Sequence, residues 1–80
     1  MPRYFVTDDV NLVNGPFDDD DVRECADSDD AAERYADMNI GEEDTPAEIF
    51  VVDVDEPGHY EMFEIELTDG MWTINLIDSV

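Results

Sequence analysis

The chain is predicted to fold as a small α+β domain. Its antiparallel sheet would consist of a C-terminal three-stranded meander plus an N-terminal strand or hairpin, with one amphipathic helix packed on one face. Three stretches carry that prediction. Ile49-Phe50-Val51-Val52-Asp53-Val54 is the densest apolar run and is β-branched and aromatic, as expected of a central strand covered on both faces. Residues 60–68 and 71–77 alternate apolar and polar positions around Asp69-Gly70, a short-hairpin dipeptide. Residues 29–39, at about 100° per residue, put Ala31, Ala32, Tyr35, Ala36 and Met38 on one side and Asp29, Asp30, Glu33 and Asp37 on the other.

In chain order, Arg3 to Thr7 reads as a first strand, and Val10 to Val13 either extends it or forms a short second piece. Asn14-Gly15-Pro16 is a turn signal, followed by Phe17 and the run Asp18, Asp19, Asp20 and Asp21. Val22 to Ala26 is open to two readings, the start of a helix or a strand that hairpins back on the first. The strand is preferred because Asp27-Ser28-Asp29-Asp30 looks like a fresh helix start, with Ser28 as N-cap and acids at the positive helix end. Gly41 is the expected stop. Glu42, Glu43 and Asp44 then lead, with Thr45-Pro46, into the central strand. Beyond that strand, Glu56-Pro57-Gly58-His59 fits a type II turn, with Pro at the second position and Gly at the third. Phe63, Ile65 and Leu67, and then Trp72, Ile74 and Leu76, are expected to face inward, with Glu64 and Glu66 outward.

Eighty residues make a single domain, 1–80, with a small core. Leu, Ile, Val and Phe make up 20 of the 80 residues, above the level at which highly charged chains tend to stay disordered. The net charge of -21 opposes folding by self-repulsion. Twenty-four acids face three arginines and no lysine. That balance argues against direct binding of nucleic acid, whose phosphates need cations, and against an anionic membrane surface. No apolar run approaches the ~20 residues of a membrane span, and Met1-Pro2-Arg3-Tyr4 opens no signal-peptide core. One cysteine, Cys25, cannot form an internal disulfide and fits a reducing cytoplasm.

Enzymatic chemistry finds little purchase. Asp53-x-Asp55-x-Pro57-Gly58, with Glu64 further on, approximates a calcium loop. Pro57 has no side-chain oxygen for the fifth position, however, and the flanks read as strands rather than helices. The Asp18–Asp21 run lacks a defined ligand geometry. His59, the one histidine, falls at a turn with no nucleophile beside it, and Cys25 has acidic sequence neighbours that dull a thiol. No catalytic residue, metal site or cofactor is expected.

The charge itself remains. Asp29, Glu33 and Asp37 form an i, i+4, i+8 row with a spacing of about 6 Å along a helix, against about 3.4 Å between phosphates on one strand of duplex DNA. Joined by acids of neighbouring loops, such a row approaches a phosphate-like charge density. The expected display is Asp18, Asp19, Asp20 and Asp21, the helix row with Asp30, and Glu42, Glu43 and Asp44, with Glu64 and Glu66 as a second patch. In its size and acidity, though by no motif, the chain resembles the DNA-mimic inhibitors carried by phages, including acidic anti-CRISPR proteins and restriction inhibitors. The resemblance implies a stoichiometric, non-catalytic inhibitor, acting in the host cell cytoplasm if phage-encoded; whether the chain is a monomer or a homodimer stays open. It would occupy the basic surface of a nucleic-acid-binding protein, a nuclease or a CRISPR effector. Proteins of extreme halophiles share the pattern: aspartate exceeds glutamate, 15 to 9, and lysine is absent. In that alternative the charge serves solubility in molar salt. A generic acidic adaptor is a third reading.

Overall fold

The computed structural model of the chain describes residues 2–56 and 58–80. Five strands, β1 (Arg3–Thr7), β2 (Val22–Glu24), β3 (Ala47–Asp53), β4 (Tyr60–Thr68) and β5 (Met71–Ser79), and one helix, α1 (Ser28–Asn39), make an α+β domain. The sheet order is β2-β1-β3-β4-β5, and all neighbours are antiparallel. The apolar run at 49–54 therefore supplies the central strand. Residues 22–24 form the edge strand that returns along β1, as the strand reading of that segment expected.

Alternation along β3 divides the core between two faces. On the helix side, Ile49 and Val51 join Phe63, Ile65, Cys25, Ala31, Ala32 and Ala36, all buried. The three alanines let α1 lie close over the sheet, because no long side chain props it away. On the far side, Val52 packs with Phe5 and Val13, and Phe17, Val22, Phe50, Val54 and Tyr60 pack around them. The Phe5 and Phe17 rings meet at 4.9 Å between centroids. The loop from β1 to β2 thus covers only the β1–β3 half of that face. The β4–β5 half stays bare, with Glu64, Glu66, Thr73 and Asn75 exposed.

Turn chemistry matches residue chemistry at the β4–β5 hairpin: Asp69 and Gly70 both have positive φ, 54° and 79°, as a twist-matched two-residue turn requires. Gly58 also has positive φ, but Pro57 lies outside the described residues, and with it the second position of the expected type II turn.

Five local expectations are corrected. The helix N-cap is Asp27, whose side chain accepts from the Asp30 N–H at 2.8 Å, and Ser28 is the first helical residue. Asp27 is selected because Asp30 reaches back to accept from the Ala26 N–H at 3.2 Å, closing a reciprocal cap. The helix does not end on a left-handed Gly41. Ile40 leaves it in an extended conformation, its N–H bonded to the Ala36 carbonyl, because Ile40 packs against the core. Met38, expected inside, is 74% exposed. It opens onto a cleft that Asp21 and Arg23 also line. Residues 10–12 form a 3-10 turn capped by the Asp9 side chain instead of a strand. Leu76 is also mostly exposed, unlike Trp72 and Ile74 on the same strand.

Candidate functional site

Helix spacing lines up Asp29, Glu33 and Asp37, and all three are exposed. Asp30 behaves differently. It is half-buried, accepts from the Ala26 N–H and pairs with Arg34 at 3.2 Å. The Ala26 hydrogen bond first, and the Arg34 guanidinium second, hold its carboxyl below the usual aspartate range. Its charge is committed to the helix start, so it is the one member of the expected display with an internal structural job.

Asp18 precedes a 3-10 turn formed by Asp19, Asp20 and Asp21, and all four are exposed. This turn delivers the chain into β2, which runs back along β1, and α1 lies over the sheet beside it. A cleft of about 380 Å³ separates the two, with Asp21 on one wall, Asp37 and Met38 on the other, and Tyr4, Val6, Cys25 and Ala31 among its lining residues. Asp21 of the aspartate run and Asp37 of the helix row, distant in sequence, are thus brought to one depression. Arg23 and Arg34 also line it, so the acid surface is interrupted there by two of the three arginines. Arg23 donates to the backbone carbonyls of Asp20 and Val22, which ties it to its own turn. The third arginine, Arg3, pairs with Asp55 at 2.8 Å.

Glu42, Glu43 and Asp44 form a second acidic 3-10 turn immediately beyond the helix C-terminus, against β4. All three are exposed. The last turn of α1 contains no basic residue. The negative end of the helix dipole therefore meets Asp37 and three further acids, where stability alone would favour a cation. Charge at this end of the helix is placed against the local electrostatics.

A second patch lies on the bare half of the sheet. Glu64 and Glu66 point outward from β4 as expected. The β3–β4 register sets Glu48 directly opposite Glu64, and Asp78 stands further along the same face opposite Met62. Glu48 and Asp78 were not singled out from the sequence; the alternation of β3 places Glu48 outward, but its partner depends on the register. The acids are therefore displayed on both sides of the sheet.

The remaining chemically capable residues are dispersed. Cys25 is fully buried, and burial first, then Asp30, pushes its thiol up. His59 is exposed in the β3–β4 connection. Asp53 accepts from the Asp55 N–H, and Asp55 holds Arg3, while Glu64 lies in mid-strand facing Glu48. The approximate calcium pattern is thus spread over a hairpin, and its fifth position, Pro57, lies outside the described residues. Among the described residues no three His, Cys, Asp or Glu side chains group so as to hold a metal, and no helix is long and apolar enough to cross a membrane. Comparison with protein-family models, curated proteins and solved structures finds no match.

Proposed function

We propose that this protein is a non-catalytic inhibitor that presents carboxylates in place of nucleic-acid phosphates. It would occupy the basic DNA- or RNA-binding surface of a nuclease or CRISPR effector, in the manner of a phage anti-CRISPR DNA mimic. The observation that carries this reading is the acidic end of α1. Asp37 and the Glu42–Asp44 turn directly beyond the helix stand where the helix dipole disfavours them, with Asp21 across the cleft. Acids held at a cost to the free protein are expected where a cationic partner recovers that cost on binding. A folded scaffold also loses little chain entropy on association, and the field of a -21 molecule accelerates encounter with a basic groove. The test is affinity capture of basic proteins from host lysate at low and at high salt, with mass spectrometry of what elutes. A nucleic-acid-binding protein should be retained at low salt and released at high salt. Lysine at positions 29, 33 and 37 together should abolish retention; retention that survives the triple change removes the helix row from the interface.

A second reading, a small domain of a halophilic organism, draws support from the second acidic patch of Glu48, Glu64, Glu66 and Asp78, since charge that serves hydration coats every side. The two separate on folding in low salt, where a halophilic domain unfolds as its self-repulsion loses screening.

A further inference from the structure

The two edges of the sheet are protected very differently. β2 is three residues long, follows four aspartates and carries Arg23 and Glu24. A short, charged edge of this kind resists pairing with another chain. β5 is nine residues long, and Asp78 is its one charged residue. Residues 71–77 carry no charge at all, in a chain of net charge -21. Met71 is 74% exposed, Leu76 55%, Ile77 47% and Val80, just past the strand, 52%. These are four of the seven large apolar side chains exposed among the described residues, so the apolar exposure concentrates on this edge.

We propose that β5 is a homodimer edge, pairing antiparallel with β5 of a second copy to give one continuous ten-stranded sheet. The pattern of the strand is self-complementary. A two-fold axis normal to the sheet keeps each residue on its own face, so only residues of like parity can oppose one another. With the axis at Ile74, Trp72 meets Leu76 of the second copy and Ile74 meets its own counterpart, all on the helix-facing side. Thr73 meets Asn75 of the second copy on the other side. Met71 meets the bulged Ile77, at the register break between Phe63 and Met62 on β4, and Asp78 falls opposite Gly70. No acid faces an acid along this ladder. The half-buried Trp72 and Ile74 would be sealed by the exposed Leu76 of the other copy.

The same charge that leaves the seam clean elsewhere opposes it. Glu33 and Asp37, with Arg34 between them, line a recess with Met71 and Trp72, so pairing brings helix faces of net negative charge closer together. Screening must therefore favour the dimer, because the Debye length falls from about 10 Å at 0.1 M salt to about 3 Å at 1 M. Binding to a basic partner responds to salt in the opposite direction, which separates this proposal from the proposed function.

The experiment is sedimentation equilibrium of the full chain in sodium chloride from about 0.05 M to about 2 M. The expected result is a mass rising from 9.1 kDa toward twice that value with salt. Leu76→Glu and, separately, Met71→Glu should weaken the dimer about tenfold or more, as removal of a buried apolar anchor does. Both positions are mostly exposed in the monomer, and circular dichroism checks that each variant is folded. Met38→Glu, an equally exposed methionine on the helix, should leave the dimer unchanged. A folded chain that stays at 9.1 kDa at every salt concentration overturns the proposal. So does a dimer indifferent to both β5 variants.

Discussion

Asp37→Lys should make this protein more stable. Asp37 lies in the last turn of α1, exposed, with no basic residue in that turn and with Glu42, Glu43 and Asp44 just beyond the helix end. A charge at a helix terminus contributes about 0.3–1 kcal/mol at low ionic strength. Reversal removes an unfavourable contribution and adds a favourable one. It also converts the Glu33–Asp37 repulsion at i, i+4 into an attraction in the better orientation, a gain of about 0.3–0.5 kcal/mol. Arg34, three residues earlier, offsets part of this, although its guanidinium is engaged by Asp30. The sum is about 1–2 kcal/mol, and for a domain of this size each kcal/mol moves Tm by about 4–8 °C. Thermal unfolding followed by circular dichroism at low salt should show Tm rising by about 4–16 °C, and the gain should shrink in 1 M salt as screening removes it. A neutral or lower Tm at low salt would refute the claim that acids at this end of the helix are held against the local electrostatics.

Three other outcomes follow from the fold. Asp27→Ala should cost about 1 kcal/mol, because it deletes the side chain that caps the Asp30 N–H; Ser28→Ala should cost less, and chemical denaturation compares the two. Phe63→Ala should cost about 3–5 kcal/mol, since Phe63 is completely buried under α1, and in a domain this small the urea midpoint should fall to near zero. Asp30 has a folded pKa below its ordinary value. Its contribution is therefore present above the unfolded value of about 3.9 and is lost as pH falls through the lower folded value. The stability gap between the wild type and Asp30→Ala, measured by denaturation across pH, should be widest above about pH 5 and narrow toward acid.

Much of the architecture was legible because its signals were local and redundant. The run at 49–54 had no helical spacing, so its central place in the sheet followed from having apolar residues on both faces. Asp69-Gly70 needed only two residues to specify the hairpin. Residues 22–24 read as strand because a better helix start followed them. The misreadings arose where two local solutions were equally good and a distant contact chose between them. Asp27 and Ser28 are both competent caps, and the bond from Ala26 to Asp30 decides. Met38 has the azimuth of Ala31, but it opens onto the cleft beside β2 instead of the packed sheet. Gly41 was an available stop that the packing of Ile40 made unnecessary. For the acidic surface, exposure and spacing of the helix row could be read directly. The convergence of Asp21 and Asp37 across one cleft could not, because it depends on β2 returning along β1 at the sheet edge. Nor could the pairing of Glu48 with Glu64, which needs the β3–β4 register. Asp30 counted as surface charge by periodicity alone, whereas its two hydrogen bonds tie it to the helix start.

The most direct test of the central claim is the salt dependence of binding between this protein and the basic protein it captures, measured for the wild type and for the variant with lysine at 29, 33 and 37. If these carboxylates stand in for phosphates, affinity falls steeply and linearly on logarithmic axes as salt rises, nucleic acid competes for the same surface, and the variant loses most of the slope. An affinity that barely changes with salt, or a variant that binds and is displaced by nucleic acid just as the wild type is, would contradict the account.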